Sequence, residues 1–283
     1  MILVLGATGK VGRALVPALL DAGAGVRALT RDPAKARIDP RAEVVAGDLG
    51  VTEDLPRLVD GVDKVFVLTS GHGRSGAAQE AAVAAAAASA GVTHLVKLST
   101  TGVHFGQQDP ITAGHAEAEQ AIRDAGPAWT ILQPGTFMDN RFAWRRSIIT
   151  DNAVYVPEGD PSSALVHTRD IAAVAALTLT TSGHEGQTYQ LTGGEALTTE
   201  EQVAILSEAI GRPLKFVEEP EPEARERMLG FGWPQSAVDG VFDLKRESAD
   251  NESIVFDTVQ RLLDRPALTF ADWAREYAKN FSA

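Results

Sequence analysis

The sequence predicts an α/β protein: a doubly wound parallel sheet with a smaller α+β domain in its C-terminal part. Three observations predict it. Apolar runs of strand length alternate with helical patterns through the first half of the chain, the rhythm of a parallel sheet covered on both faces. The first run passes straight into a glycine-rich turn, Gly6-Ala7-Thr8-Gly9-Lys10-Val11-Gly12. After Pro134 the rhythm weakens into a mixed pattern.

Each element has a local reason. Ile2 to Leu5 is continuously apolar, as a strand buried on both faces requires. Val11 to Ala22 carries apolar residues at helical spacing, and Gly23 closes it. Val26 to Thr30 and Glu43 to Ala46 read as strands, Leu55 to Val59 as a short helix ended by Gly61, and Lys64 to Leu68 as a fourth strand. Ala77 to Ala90 is low in complexity, yet alanine is the best helix former and Gly91 supplies the stop. His94 to Leu98 is a fifth strand, Ala113 to Ala125 a helix and Trp129 to Gln133 a sixth strand. Ala164 to Thr180 holds a short strand and then a helix capped by Asp170. Tyr189 to Leu191 is strand-like. Thr198 to Ile210 is a helix with threonine caps, early acids and Gly211 at its end. Glu218 to Glu226, acidic and broken by proline, reads as a surface connection, and residues 235–280 as mostly helical. The domain reading puts residues 1–152 and 164–193 in the larger domain, and residues 153–163 and 194–283 in the smaller.

Composition narrows the function. The 283 residues are 44% hydrophobic, enough for a full core. The formal net charge is −12, from 38 acidic and 26 basic side chains. Such a chain lacks the basic field that draws proteins to phosphate backbones, so no nucleic-acid partner is expected. No cysteine is present, which excludes disulfides, thiolate catalysis and cysteine metal sites. Met1 leads directly into Ile2 to Leu5, too short and too little flanked by basic residues for a signal-peptide core. No apolar run reaches membrane-spanning length. The expectation is a cytoplasmic protein with no membrane partner.

On a strand-turn-helix, the spacing of Gly6, Gly9 and Gly12 acquires a meaning. Glycine allows the tight turn, lets backbone approach a pyrophosphate and lets the helix sit close on the strand. The helix N-terminus then offers free amides and positive dipole character to phosphates. The pattern predicts a dinucleotide site. An NAD-selective site wants a carboxylate at the end of the second strand. Here the sequence reads Thr30-Arg31-Asp32, which brings a guanidinium to where a 2′-phosphate would lie. Lys10 adds a second charge. NADP(H) is therefore expected in preference to NAD(H).

Taken together, Gly6 to Gly12, Thr30-Arg31, Gly47-Asp48-Leu49, Leu68-Thr69-Ser70, Lys97-Leu98-Ser99 and Gln133 to Asn140 resemble the NmrA-like atypical short-chain dehydrogenases/reductases. Val166 to Ile171 and Tyr189 to Gly193 strengthen the likeness, which runs from residue 1 to about 245. The resemblance implies a Rossmann domain with a small C-terminal substrate domain, and a substrate held in the cleft between them. It implies that Gly6, Thr8, Gly9, Lys10, Val11 and Gly12 form the phosphate loop. Arg31 would meet the 2′-phosphate, and Asp48 and Leu49 would flank adenine. Thr69 and Ser70 would line the dinucleotide path, and Gln133, Pro134, Gly135 and Thr136 would border the nicotinamide. Phe137, Met138 and Asn140 would face the substrate, with His104 and Phe105 as further lining. Members divide into reductases of quinones, dyes and aromatic or polyketide-type compounds, and regulators that bind a dinucleotide and a protein partner without turnover.

The chemistry departs from ordinary short-chain reductases, which pair Tyr-x-x-x-Lys with a serine so that the tyrosine protonates the carbonyl oxygen. Ser99 stands at the expected strand end. The tyrosines are Tyr155, Tyr189 and Tyr277, followed four residues on by Gly159, Gly193 and Phe281. Where the motif would fall, the sequence reads Ile111-Thr112-Ala113-Gly114-His115. Reducing an isolated ketone makes a basic alkoxide that needs an acid. Reducing a quinone or conjugated dye makes a delocalised anion that takes a proton from water. His115 is the candidate local acid or orienting donor, with Glu119 one helical turn away. The same His–Glu pair equally suits a plain helix surface. No nucleophile elbow, Walker loop or metal cluster is present in the sequence. The expected function is an NADPH-dependent oxidoreductase acting on a quinone-like or polycyclic aromatic, polyketide-type included, small molecule, with Ser99 and His115 as catalytic candidates. The alternative is a non-catalytic dinucleotide sensor that binds a regulatory protein. Either would be a monomer or a homodimer.

Overall fold

A computed structural model describes residues 1–69 and 73–282. In chain order the elements are β1 (Ile2–Val4), α1 (Gly12–Asp21), β2 (Val26–Thr30), β3 (Glu43–Ala46), α2 (Leu55–Val59), β4 (Lys64–Val67), α3 (Gly73–Ser89), β5 (His94–Leu98), α4 (Thr101–Phe105), α5 (Pro110–Asp124) and β6 (Ala128–Pro134). There follow α6 (Arg145–Asp151), β7 (Ala153–Pro157), α7 (Thr168–Thr180), β8 (Gln187–Leu191), α8 (Thr199–Ile210), β9 (Lys215–Glu219), α9 (Glu221–Gly230), α10 (Gln235–Ser248), α11 (Thr258–Leu263) and α12 (Phe270–Tyr277). No helix among the described residues is long and apolar enough to cross a membrane.

The chain divides into two compact units. One comprises Met1–Pro134 with Thr168–Leu191, the other Gly135–His167 with Thr192–Ala283. Residues 135–152, 164–167 and 192–193, read from the sequence as part of the larger domain, cluster with the smaller unit.

The first unit is built on a seven-stranded parallel sheet of order β3-β2-β1-β4-β5-β6-β8. Strand order reverses between β1 and β4, which places a crevice at their carboxyl ends. The central strands are mostly apolar because helices cover both faces. Leu3, Leu5, Val65, Val67, Leu95 and Ile131 form one core with Leu58, Val83 and Ile122 from the helices. Asp109 caps α5, its Oδ1 accepting from the amides of Ile111 and Thr112, and Pro110 opens the helix. The helix thus starts three residues earlier than its apolar spacing predicts. Asp170, expected as a cap, lies inside the first turn of α7 and is fully buried.

The second unit pairs β7 with β9 in a two-stranded parallel sheet. Its core gathers Met138, Ile148, Val154, Leu206, Phe270, Trp273 and Phe281. Capping boxes at Thr198/Glu201 and Thr269/Asp272 set α8 and α12. The acidic stretch 218–226 is not a loose connection: it ends β9 and begins α9. Pro222 sits in the first turn of α9, and Glu221 pairs with Arg225 at 2.7 Å. The stretch from Met228 to Trp233 splits in role. Met228 packs on a small core of Ala224, Val238 and Phe242, whereas Phe231 and Trp233 are exposed.

Candidate active site

The phosphate loop follows β1 at the switch point. Gly6 adopts φ +65°, a left-handed backbone that favours glycine. Gly12 is required by space: a Cβ there would lie 2.2 Å from the Gly6 carbonyl oxygen and 2.6 Å from Ala7 Cα. The helix therefore starts against the loop itself. No side chain caps α1; the amides of Arg13 and Ala14 donate to the Gly9 and Val11 carbonyls. Arg13 Nε donates to the Thr8 carbonyl at 2.7 Å and braces the turn. Val11 is buried beneath it, while Thr8, Gly9 and Lys10 reach the surface. This cradle fits a diphosphate.

The other expected dinucleotide residues of this unit lie along the same carboxyl edge. Arg31 leaves β2 exposed to solvent. The loop beyond it is tied by Arg41, which bonds Asp39 and Asp21. The Arg41 side chain, and then its amide, hold Asp39 down at about 2. Asp48 is exposed, its Oδ1 accepting from the Gly50 amide at 2.9 Å, while Leu49 packs on the core. Thr69 follows β4 and donates to Glu80 Oε1 at 3.3 Å. Ser70 lies outside the described residues. Gln133 and Pro134 end β6, and both are buried.

Behind this edge sits a buried polar network that ties α5 to β6, β8 and the residue after β5. Glu119, 1% exposed on α5, accepts at Oε1 from Ser99 Oγ at 2.5 Å and from Gln133 Nε2 at 2.8 Å. Its Oε2 pairs with Arg123 at 2.8 Å. Gln190 Nε2 on β8 donates to Gln133 Oε1 at 2.8 Å. The Ser99 hydroxyl is thus a donor inside the network, committed to a carboxylate. A second cluster adjoins it. Lys97 on β5 is fully buried, pairs with Glu80 Oε2 of α3 at 2.7 Å and meets His115 Nδ1 at 3.1 Å. Breaking one partner of such a buried pair costs roughly 3–5 kcal/mol. His115 is half-buried. Ser99 is therefore joined to Gln133 through Glu119, and His115 to Thr69 through Lys97 and Glu80. On α4, His104 is exposed and its ring stands edge-on to Phe105 at 4.9 Å.

Residues 135–140 belong to the second unit. Val166 donates to the Thr136 carbonyl, Met138 donates to Val166, and Phe137 bridges Val166. Gly135 leads into this segment half-exposed, and Thr136 Oγ1 donates to Glu252 at 3.1 Å. Met138 is 1% exposed and fills the unit's core, where its side chain supports the segment from behind. Asn140 is exposed. Next to it Arg141 donates through Nε to Gln202 Oε1 at 2.7 Å and covers the Trp144 ring. Burial lowers the Arg141 pKa, against the charges of Asp160 and Glu252, which raise it.

Sequence reasoning assigned no role to Glu80, Lys97, Arg123, Gln190 or Arg141. Two of them carried a signal. Lys97 interrupts an otherwise apolar buried strand, and Glu80 is a lone acid in an alanine-rich helix; charged residues are almost never buried unless paired.

Comparison with known proteins agrees with this geometry. The family described as NAD(P)H-binding matches residues 6–182. A (4-alkanoyl-5-oxo-2,5-dihydrofuran-3-yl)methyl phosphate reductase of Streptomyces griseus subsp. griseus is 42% identical, over 100% of this chain and 99% of its own. An NAD(P)H azoreductase of Xenophilus azovorans is 39% identical over 100% of both chains. The NADPH-dependent quinone oxidoreductase QOR2 of Escherichia coli, solved with NADPH, superposes with a TM-score of 0.85 at 25% identity, covering 98% of this chain and 99% of its own. The chain belongs to the NAD(P)H-binding, NmrA-like family of atypical short-chain dehydrogenases/reductases. By that membership it is an NAD(P)H-dependent oxidoreductase.

Proposed function

We propose that the protein passes hydride from NADPH, in preference to NADH, to an electron-poor conjugated acceptor of quinone-like or polycyclic aromatic type, polyketide-type compounds included. One observation carries this reading: the tyrosine of the usual carbonyl relay is missing, and the serine that would assist it donates to Glu119 instead. The furanone, azo and quinone groups in the relatives' names share an unsaturated acceptor whose reduced anion is delocalised. Such an acceptor needs orientation more than a strong acid.

Bound NADPH supplies the hydride. The amides of Lys10, Val11 and Gly12 hold the diphosphate, and Thr8 and Gly9 let it approach. Arg31 takes the 2′-phosphate, and Asp48 and Leu49 flank the adenine. Thr69, Gln133, Pro134, Gly135 and Thr136 border the path to the nicotinamide. His104 and Phe105 of the first unit contact the acceptor. His115 donates a hydrogen bond to the oxygen on which charge develops, and Ser99 keeps Glu119 and Gln133 in place. With no cysteine in the chain, we place the protein in the reducing cytoplasm, as a monomer or homodimer.

The test mixes protein and NADPH with menadione, an azo dye, a triphenylmethane dye and cyclohexanone, and follows the nicotinamide absorbance. The conjugated acceptors should be reduced above the uncatalysed rate and the saturated ketone should not. Reduction of cyclohexanone as fast as menadione would overturn the acceptor class.

A further inference from the structure

Lys97 is a fully buried charge of the first unit, and neither the glycine loop nor the Glu119 network uses it. It lies mid-sheet, in register with Val67 of β4 and Ile131 of β6. An apolar side chain of similar size often stabilises such a place as well as, or better than, an ion pair. The geometry supplies another reason for a lysine. Its Nζ donates to the Leu98 carbonyl at 2.7 Å, pairs with Glu80 Oε2 at 2.7 Å and faces His115 Nδ1 at 3.1 Å. The other Glu80 oxygen accepts from Thr69. An ammonium has three hydrogens and no lone pair: it holds Glu80 as an ion pair, donates to the Leu98 carbonyl and has only a hydrogen to offer the imidazole. The imidazole nitrogen that faces it must therefore accept. A ring carrying its hydrogen on Nδ1 would set N–H against N–H.

We propose that Lys97, anchored by Glu80 and the Leu98 carbonyl, is a positioning residue that locks His115 in the Nε2–H tautomer and so makes Nε2 a fixed donor to the acceptor oxygen. This rests on the reading of His115 given above. The division of labour differs from that of a Tyr-Lys pair. The cation does not sharpen an acid; it fixes which nitrogen of a neutral imidazole carries the hydrogen. A donor fixed before reaction stabilises developing charge without reorganisation.

Two measurements decide it. Nitrogen-15 imidazole spectra at neutral pH, with His115 assigned by loss of its signals in His115→Phe, should show Nδ1 unprotonated, Nε2 protonated and no averaging between them. Averaged shifts, an Nδ1–H ring or a doubly protonated ring would overturn the proposal. The second is a kinetic cycle with menadione. Lys97→Met combined with Glu80→Leu removes both charges and leaves no unpaired carboxylate. It should lower kcat by about tenfold or more with KM for NADPH unchanged, and cost nothing further in a His115→Phe background. Equal losses in both backgrounds would mark Lys97 as structural only. A locked tautomer together with an unimpaired His115→Phe variant would sustain the lock and overturn the role assigned to His115.

Discussion

Arg31 leaves the end of β2 with no hydrogen bond or ion pair among the described residues, and its acidic neighbour does not engage it. Asp32 Oδ1 accepts from the Ala34 amide at 3.2 Å, and Oδ2 pairs with Lys35 at 3.0 Å. The carboxylate that could have bonded a ribose 2′-hydroxyl is turned along its own loop, while the guanidinium keeps its planar fork. A fork of that shape suits a phosphate and gains little from a hydroxyl. Because Arg31 is exposed, water and salt weaken the contact. Arg31→Ala should therefore raise the Kd for NADPH about tenfold, about 1.4 kcal/mol, and leave that for NADH unchanged. Calorimetry on both cofactors reads this directly, and equal Kd values for the two in the unmutated protein would remove the basis for the preference.

β5 leads into the buried polar clusters of Lys97 and Ser99 at one end and carries a buried acid–base group at the other. At its amino end His94 is 2% exposed, and its Nε2 lies 2.8 Å from Thr130 Oγ1 on β6. That hydroxyl donates to the His184 carbonyl at 2.7 Å, so it accepts from His94 Nε2–H. Nδ1 is buried without a hydrogen-bond partner, and a second proton there would have no acceptor. Burial, reinforced by the charge of Lys64, lowers the His94 pKa below its usual 6.5. The unfolded chain takes its proton near the usual value and the folded protein only at lower pH. This contribution to stability is thus full above 6.5 and falls away as pH drops from there through the folded value. Chemical denaturation between pH 7 and 5 should show that loss, and His94→Gln should flatten it; an identical slope in the variant would reject the assignment. The same strand shows what sequence reveals and what it hides. Its apolar run, like those of β1, β2, β4 and β6, reads directly, and so does the glycine loop, because both are local patterns. The Glu80–Lys97–His115 cluster does not, because α3, β5 and α5 each contribute one member and only folding brings them together. The β7–β9 pairing joins residues some sixty positions apart along the chain, as Ala153 to Lys215. α9 buries only Ala224, so no apolar stripe announces it.

Among the described residues, none belongs to both of the cores built around Leu3 and around Trp273. Leu3, Val65, Leu95 and their neighbours close the first unit, while Phe142, Phe270, Trp273, Tyr277 and Phe281 close the second as one aromatic cluster. Trp273 stands at the centre of that cluster, with ring centroids 5.1 Å from Phe142 and 5.2 Å from Phe270, and its Nε1 donates to Asp139 at 3.1 Å. The chain crosses between the units at Pro134–Gly135, His167–Thr168 and Leu191–Thr192, so neither unit is a single continuous segment. Separate cores allow local unfolding of one without the other. Trp273→Ala, which empties a site with no exposure and removes the indole hydrogen bond to Asp139, should cost the second unit about 3–5 kcal/mol. Hydrogen exchange resolved by segment gives the reading. Protection should fall across β7, α8 and α12, while amides of β1, β4 and β5 keep theirs and NADPH still raises it. An equal fall in both sets would mean that the three crossings make the molecule one cooperative body, and that the cofactor-holding sheet depends on the aromatic cluster for its stability.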